Sequence, residues 1–250
     1  MEQRWQRIDR GKHIITTPFE HAAVSAPMEW LQKQGYEITE IPVDEKGNIF
    51  LEKLSETIRE DTILVSTMMV NNEMGAVLSV EEMGRLVHEK NPQTTFHVDA
   101  IQAYGKYRIY PKKWNIDLLS VSSHKIHGPK GVGFLYVNEK TKIQPLILGG
   151  GQQKGMRSGT DNVPGIAGLG VAAKKIYSHI DENVSSMMEL KKYFAQELFK
   201  IRKCGNQWYN FQKWFDTIQK YEGKGVDGRD ADCMLFGAEA YTTVRWIGNE

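Results

Sequence analysis

The chain has 250 residues, 25% charged and 40% hydrophobic, with 32 lysines and arginines against 31 aspartates and glutamates and a formal net charge of +1. That balance is ordinary for a water-soluble globular protein, and it offers no single-sign field to recruit nucleic acid or an anionic membrane surface. Two cysteines, Cys204 and Cys233, argue against a disulfide framework and fit a reducing compartment. No apolar run approaches the roughly 20 residues that span a bilayer. The charged start Met1–Arg7 lacks the apolar core of a signal peptide. A cytoplasmic location is expected.

His13–Thr16 reads as a short strand and Thr17-Pro18-Phe19-Glu20-His21 as a helix N-terminus, since proline suits a first turn and an acid close behind suits the exposed amides and the dipole. That helix should run from Ala22 to Gln34 and end at Gly35. Glu37–Val43 alternates polar and apolar residues, the mark of a half-buried strand; after a turn at 44–48, Leu51, Leu54 and Ile58 are spaced for a helix face. Thr62–Val70 is an unbroken β-prone run of the kind that forms buried parallel strands, and it stops at Asn71-Asn72-Glu73-Met74-Gly75. Val80, Met83, Leu86 and Val87 mark a second helix face, closing near Asn91-Pro92. Thr94–Val98 is the next strand, running into Asp99-Ala100-Ile101-Gln102; Leu118–Ser122 follows, then the apolar run Phe134–Val137. Strands alternating with helices predict an α/β layer on a mostly parallel sheet. Ligands of such sheets sit beyond the carboxyl ends of the strands. Asn72, Asp99, Gln102 and Lys125 all lie at or just past such ends.

Lys125 stands in Ser122-Ser123-His124-Lys125-Ile126-His127-Gly128-Pro129-Lys130-Gly131-Val132-Gly133. It reads either as an exposed lysine of a basic turn or as a strand-end amine that loses water, drops in pKa and becomes a nucleophile. Lys125 and Asp99 together also read two ways. One is a buried ion pair, or a carboxylate capping the turn that follows. The other is a site for pyridoxal 5'-phosphate (PLP), with the lysine carrying the aldehyde as a Schiff base and the acid pairing with the pyridine nitrogen. In that second case the amide of Asn72 or Gln102 would meet the ring's phenolic oxygen, His21 would stack on the ring face, and Ser122 and His124 would hold the phosphate. The seven histidines show no metal-ligand spacing.

Glu20-His21, Asn71-Asn72-Glu73-Met74-Gly75, His97-Val98-Asp99-Ala100-Ile101-Gln102, the Lys125 segment and Gly149-Gly150-Gly151-Gln152-Gln153-Lys154-Gly155-Met156-Arg157-Ser158-Gly159-Thr160 occur together in this order. They resemble the NifS/IscS-like cysteine desulfurases, class-V aminotransferase relatives among the fold-type-I PLP enzymes, over roughly residues 11–200. The resemblance implies a PLP-binding large domain at 1–203, with a mostly parallel sheet flanked by helices, and conversion of L-cysteine to L-alanine with sulfur transfer to an acceptor. It implies that Lys125 carries PLP, that Asp99 pairs with the pyridine nitrogen, and that His21 stacks on the ring and assists proton transfer. Asn72 and Gln102 would contact the ring oxygen, Asn72 also the substrate carboxylate, and Ser122 and His124 the phosphate. Thr160 would reach the phosphate of the partner subunit, which implies a homodimer. A sulfur-acceptor protein, as in iron–sulfur cluster assembly or tRNA thiolation, is the family-level partner.

Two departures are expected. The family carries a strand, a helix and a phosphate-cradling Gly/Thr loop before the position of His13, so the large domain is expected to be incomplete at its N-terminus. The family's sulfur-accepting cysteine loop has no counterpart here. Cys204 falls at a predicted helix end, and Cys233 lies in Asp230-Ala231-Asp232-Cys233, where carboxylates raise a thiol's pKa; neither is assigned as the acceptor. Val184, Met187, Met188, Phe194, Leu198 and Ile201 form a helical stripe. Residues 204–250 are an aromatic-rich, unassigned segment in which Trp208, Tyr209, Phe211, Trp214, Phe215 and Ile218 are spaced like an amphipathic helix, for core packing or a partner. Asp216, Glu222, Asp227, Asp230 and Asp232 dilute its basic charge, against nucleic-acid binding. The other class of function is a catalytically incomplete relative that binds PLP or a protein partner.

Overall fold

In the computed structural model, which describes residues 11–44 and 47–200, the β-prone run forms a strand inside a six-stranded sheet. The strands are β1 (His13–Thr16), β2 (Glu37–Glu40), β3 (Thr62–Met68), β4 (Thr95–Asp99), β5 (Leu118–Ser122) and β6 (Gly133–Val137), in the order β2-β1-β3-β4-β5-β6. β1 to β5 are parallel, so their carboxyl ends share one edge, and β6 runs antiparallel to β5. The connection between β5 and β6 is shorter than the dozen or so residues that a parallel crossover needs, which dictates the reversal. The register pairs Met68 with Asp99 and Asp99 with Ser120.

The helices are α1 (Ala22–Lys33), α2 (Leu51–Thr57), α3 (Val80–Lys90), α4 (Val163–Ser178) and α5 (Ile180–Lys200). α3 turns Val80, Met83, Gly84 and Val87 inward, the i, i+3, i+4, i+7 positions of one face. Val80, Met83 and Val87 join Ile15, Val65, Phe96, Val98, Ile116, Leu119 and Val121 in the main core. Gly84 has a specific task, because a Cβ there would collide with the carbonyl oxygen of Trp114 and press on the Phe96 ring. α4 closes a second cluster over Ile126, Val132 and Leu169. Its Tyr177 hydroxyl donates to the Tyr107 carbonyl at 3.1 Å and accepts from the Gly105 N–H at 3.2 Å.

Two expectations change. The helix expected from Ala22 to Gln34 forms at Ala22–Lys33, but with His21 as its N-cap and no acid in its first turn. The acid expected there, Glu20, accepts a hydrogen bond from the Met68 N–H at 2.9 Å, so its carboxyl faces β3 and not the helix amides. α5 carries the predicted stripe, but Met187 and Phe194 are exposed on it. The predicted amphipathic helix after 204, both cysteines and the side chains of Leu198 and Ile201 lie outside the described residues. Among the described residues no helix is long and apolar enough to cross a membrane.

Candidate functional site

The shared carboxyl edge of the sheet gathers the candidate residues. Asp99 is the last residue of β4 and is only 4% exposed. Its Oδ1 accepts the Ile101 N–H at 2.9 Å. Burial raises its pKa, while that hydrogen bond and the field of His21 favour the charged form. Of the two readings the sequence left open, the turn-capping one therefore holds for one oxygen. The ion pair does not form: among the described residues Asp99 pairs with no lysine or arginine.

Lys125 lies one strand over, in a single 3-10 turn, Ser123–Ile126, that directly continues β5. The turn is pinned by Ser123 N–H to Val132 O at 2.9 Å and Gly128 N–H to Ser123 O at 3.0 Å. His127 closes it in the left-handed region at φ 63°, and a Cβ on Gly128 would collide with the Ser123 hydroxyl. Lys125 is half-buried, and its ammonium makes no hydrogen bond among the described residues.

Ser122 is buried, and its hydroxyl meets Nδ1 of His124 at 2.7 Å. Nε2 of His124 is buried without a partner among the described residues. Burial, followed by the charges of Lys125 and Lys130, lowers the His124 pKa. A buried imidazole nitrogen with no partner, beside two lysines, suits an anionic oxygen.

His21 is held as the cap of α1: its Nδ1 accepts the Ala23 N–H at 3.0 Å, so a neutral ring carries its proton on Nε2. At the end of β3 the two asparagines divide the work. Asn71, 3% exposed, donates to the Phe19 carbonyl at 2.8 Å and accepts from the N–H groups of Glu73 at 2.9 Å and Met74 at 2.7 Å, which builds the turn. Asn72 is half-buried and takes no part in that turn, its amide donating to Glu73 at 2.8 Å. Gln102 is half-buried in the turn after Asp99, with its carbonyl oxygen accepting from Lys106 at 2.9 Å. Thr160 is exposed in the segment before α4, and no hydrogen bond joins it to the strand-end group among the described residues.

Two residues beside these were not singled out as site residues. His97, two positions before Asp99 and on the same face of β4, spans three strands: Ser66 Oγ lies 2.8 Å from its Nδ1 and Ser120 Oγ 2.8 Å from its Nε2. Strand alternation was the signal that would have placed it next to Asp99. The other is Glu20, whose inward carboxyl depends on a contact 48 residues away that no local pattern reveals. No group of three or more His, Cys, Asp or Glu side chains among the described residues could hold a metal ion.

Residues 2–231 match the model of the aminotransferase class-V family. A cysteine desulfurase IscS of Methanosarcina thermophila is 46% identical over 195 residues, covering 78% of this chain and 48% of that protein. A solved structure titled NIFS-LIKE PROTEIN aligns with TM-score 0.76 at 43% identity, over 77% of this chain and 53% of that one. Another, of SspA in complex with cysteine, aligns with TM-score 0.65 at 38% identity, over 69% of this chain and 50% of that one. The chain spans about half the length of the curated relatives it matches.

Proposed function

Because the chain belongs to the aminotransferase class-V family, we propose that its strand-end cluster holds PLP and serves a cysteine desulfurase, turning L-cysteine into L-alanine with transfer of sulfur to an acceptor. The observation that carries this is the buried Asp99 carboxyl, without a cationic side-chain partner among the described residues, one strand from the unengaged Lys125 amine. A folded core does not ordinarily keep such a carboxyl unless something positive meets it. The buried Nε2 of His124, without a partner among the described residues, is the second point of fit, since a phosphate oxygen would satisfy it.

Lys125 would be the covalent attachment point. Asp99 would hold a proton on the ring nitrogen, and that cation would in turn favour the charged form of its carboxyl. Ser122 and His124 would bind the phosphate, and Asn72 and Gln102 the ring oxygen, with Asn72 also near the substrate carboxylate. His21, fixed by its cap bond, would lie against the ring and present Nε2–H for proton transfer. When bound, PLP supplies an electron-withdrawing ring that stabilises negative charge at the substrate α-carbon. Thr160 would contact the phosphate of a partner subunit in a homodimer, which is consistent with its exposure here. The large domain would extend over 1–203 and the aromatic-rich segment over 204–250. The same reading places the protein in the cytoplasm, with a sulfur-acceptor protein such as those of iron–sulfur cluster assembly as partner.

The test is turnover by the full chain supplied with PLP and L-cysteine, with alanine and sulfide assayed in the presence of a thiol reductant. Alanine formation that disappears in Lys125→Ala supports the desulfurase reading. PLP binding with no alanine from wild type would leave a cofactor-binding relative without that activity.

A further inference from the structure

Glu20 is a carboxyl at the strand ends to which the chemistry above gives no task. It belongs to the turn between β1 and α1, directly before His21. One of its oxygens, Oε1, accepts from both the Met68 N–H, at 2.9 Å, and the Thr17 hydroxyl. The other, Oε2, is buried with no hydrogen-bond partner among the described residues. Met68 is the register partner of Asp99, and the Met69 N–H donates to the Asp99 carbonyl at 2.9 Å. The clamp thus sets Glu20 one strand away from a second buried carboxyl.

We propose that Glu20 is a proton-bearing positioning residue: as a neutral acid it ties the His21 turn to the end of β3 and leaves Asp99 to carry the negative charge of the cluster. Two neighbouring carboxylates in a desolvated setting do not readily ionise together. The groups that face Glu20 decide which one keeps the proton. From β4 comes Asp99, from β3 only a backbone N–H, and from its own turn the Thr17 hydroxyl. No lysine or arginine pairs with it among the described residues. Burial raises the Asp99 carboxyl as well, but the Ile101 N–H and the field of His21 favour its charged form, whereas a charge on Glu20 would be shared with a buried oxygen that no donor reaches among the described residues. Burial, helped by Asp99 and opposed by Thr17 and Met68, pushes the Glu20 carboxyl up to about 7. That the Asp99 charge then serves a bound cofactor rests on the reading above; the protonation of Glu20 does not.

The experiment uses the full chain, without cofactor, carrying glutamate labelled with 13C at its carboxyl carbon. Glu20→Gln assigns the resonance, and pH is taken from 4.5 to 9. The expected midpoint lies near neutrality, moves down in Asp99→Asn and moves up in Thr17→Val, which removes a donor to the carboxylate. If Glu20→Gln does not fold, the upward move in Thr17→Val assigns the same resonance. A midpoint below about 5, in the ordinary carboxylate range, or one that Asp99→Asn leaves in place, overturns the proposal. With PLP added, the visible band of wild type should show an inflection near neutral pH that Glu20→Gln lacks; identical profiles overturn the link to Asp99. No band in either protein, with the midpoint still near neutrality, would count against the cofactor reading and for the protonated Glu20.

Discussion

Replacing His97 by glutamine tests how strongly the strand-end edge depends on a neutral imidazole. The ring joins β3, β4 and β5 through Ser66 and Ser120, each at 2.8 Å. Although part of its residue surface remains reachable, the ring lies deep among its neighbours, and burial lowers its pKa from 6.5 to about 4. The unfolded chain therefore takes up a proton near pH 6.5 that the folded chain refuses until about pH 4. Between those values the unfolded state binds more protons, so stability rises with pH and levels off above the unfolded value. At pH 4.5 the shift is worth about 2 to 3 kcal/mol of lost stability relative to pH 7.5, from 1.36 kcal/mol per unit. Glu20 acts in the opposite sense over roughly the same range, because a raised carboxyl keeps its proton longer in the folded state; that contribution is common to both proteins and cancels in the comparison. Urea unfolding at the two pH values should show wild type losing about 1 M more in midpoint than His97→Gln, for a slope near 2 kcal/mol per molar. Equal losses in the two proteins would refute the reasoning.

Asn71→Ala should cost about 1 to 3 kcal/mol, since it removes the side-chain bonds to the Phe19 carbonyl and to the Glu73 and Met74 N–H groups that build the turn, whereas Asn72→Ala should leave urea stability unchanged; the reverse order would contradict the division of labour at the end of β3. Phe96→Ala, at a fully buried core position, should cost about 3 to 5 kcal/mol in the same assay. Gly84→Ala should destabilise by about 1 to 3 kcal/mol or more, despite alanine's better helix propensity, because its methyl meets the Trp114 backbone. A stabilised Gly84→Ala would show that α3 does not approach this closely.

Much of the fold was legible because its signals are local. The run Thr62–Val70 and the α3 face each carry their period in consecutive residues, and the strand-end rule then points to Asp99 and Lys125. What was not legible depends on distant partners. Pro18 and Glu20 look like a helix start until β3 offers a backbone N–H to the carboxyl. Asn71 and Asn72 are adjacent and chemically identical, and only the Phe19 carbonyl decides which is the scaffold. α4 carries no clear local signal because Gly165, Gly168 and Gly170 dilute its pattern and propensity; Gly168 is explained by Pro129, which lies 2.6 Å from where its Cβ would stand. The direction of β6 follows from the short Lys125 turn, which is as much a consequence of the site as of the sheet.

The central claim is that Lys125 is the attachment point for PLP beside a buried Asp99. The most direct measurement is to mix the full chain with PLP, reduce with borohydride, digest and map the modified peptide by mass spectrometry, beside Lys125→Ala. The account predicts a visible band that borohydride bleaches, with the reduced cofactor fixed on the Lys125 peptide and absent in the variant. Label scattered over exposed lysines, with wild type and Lys125→Ala alike, would contradict it.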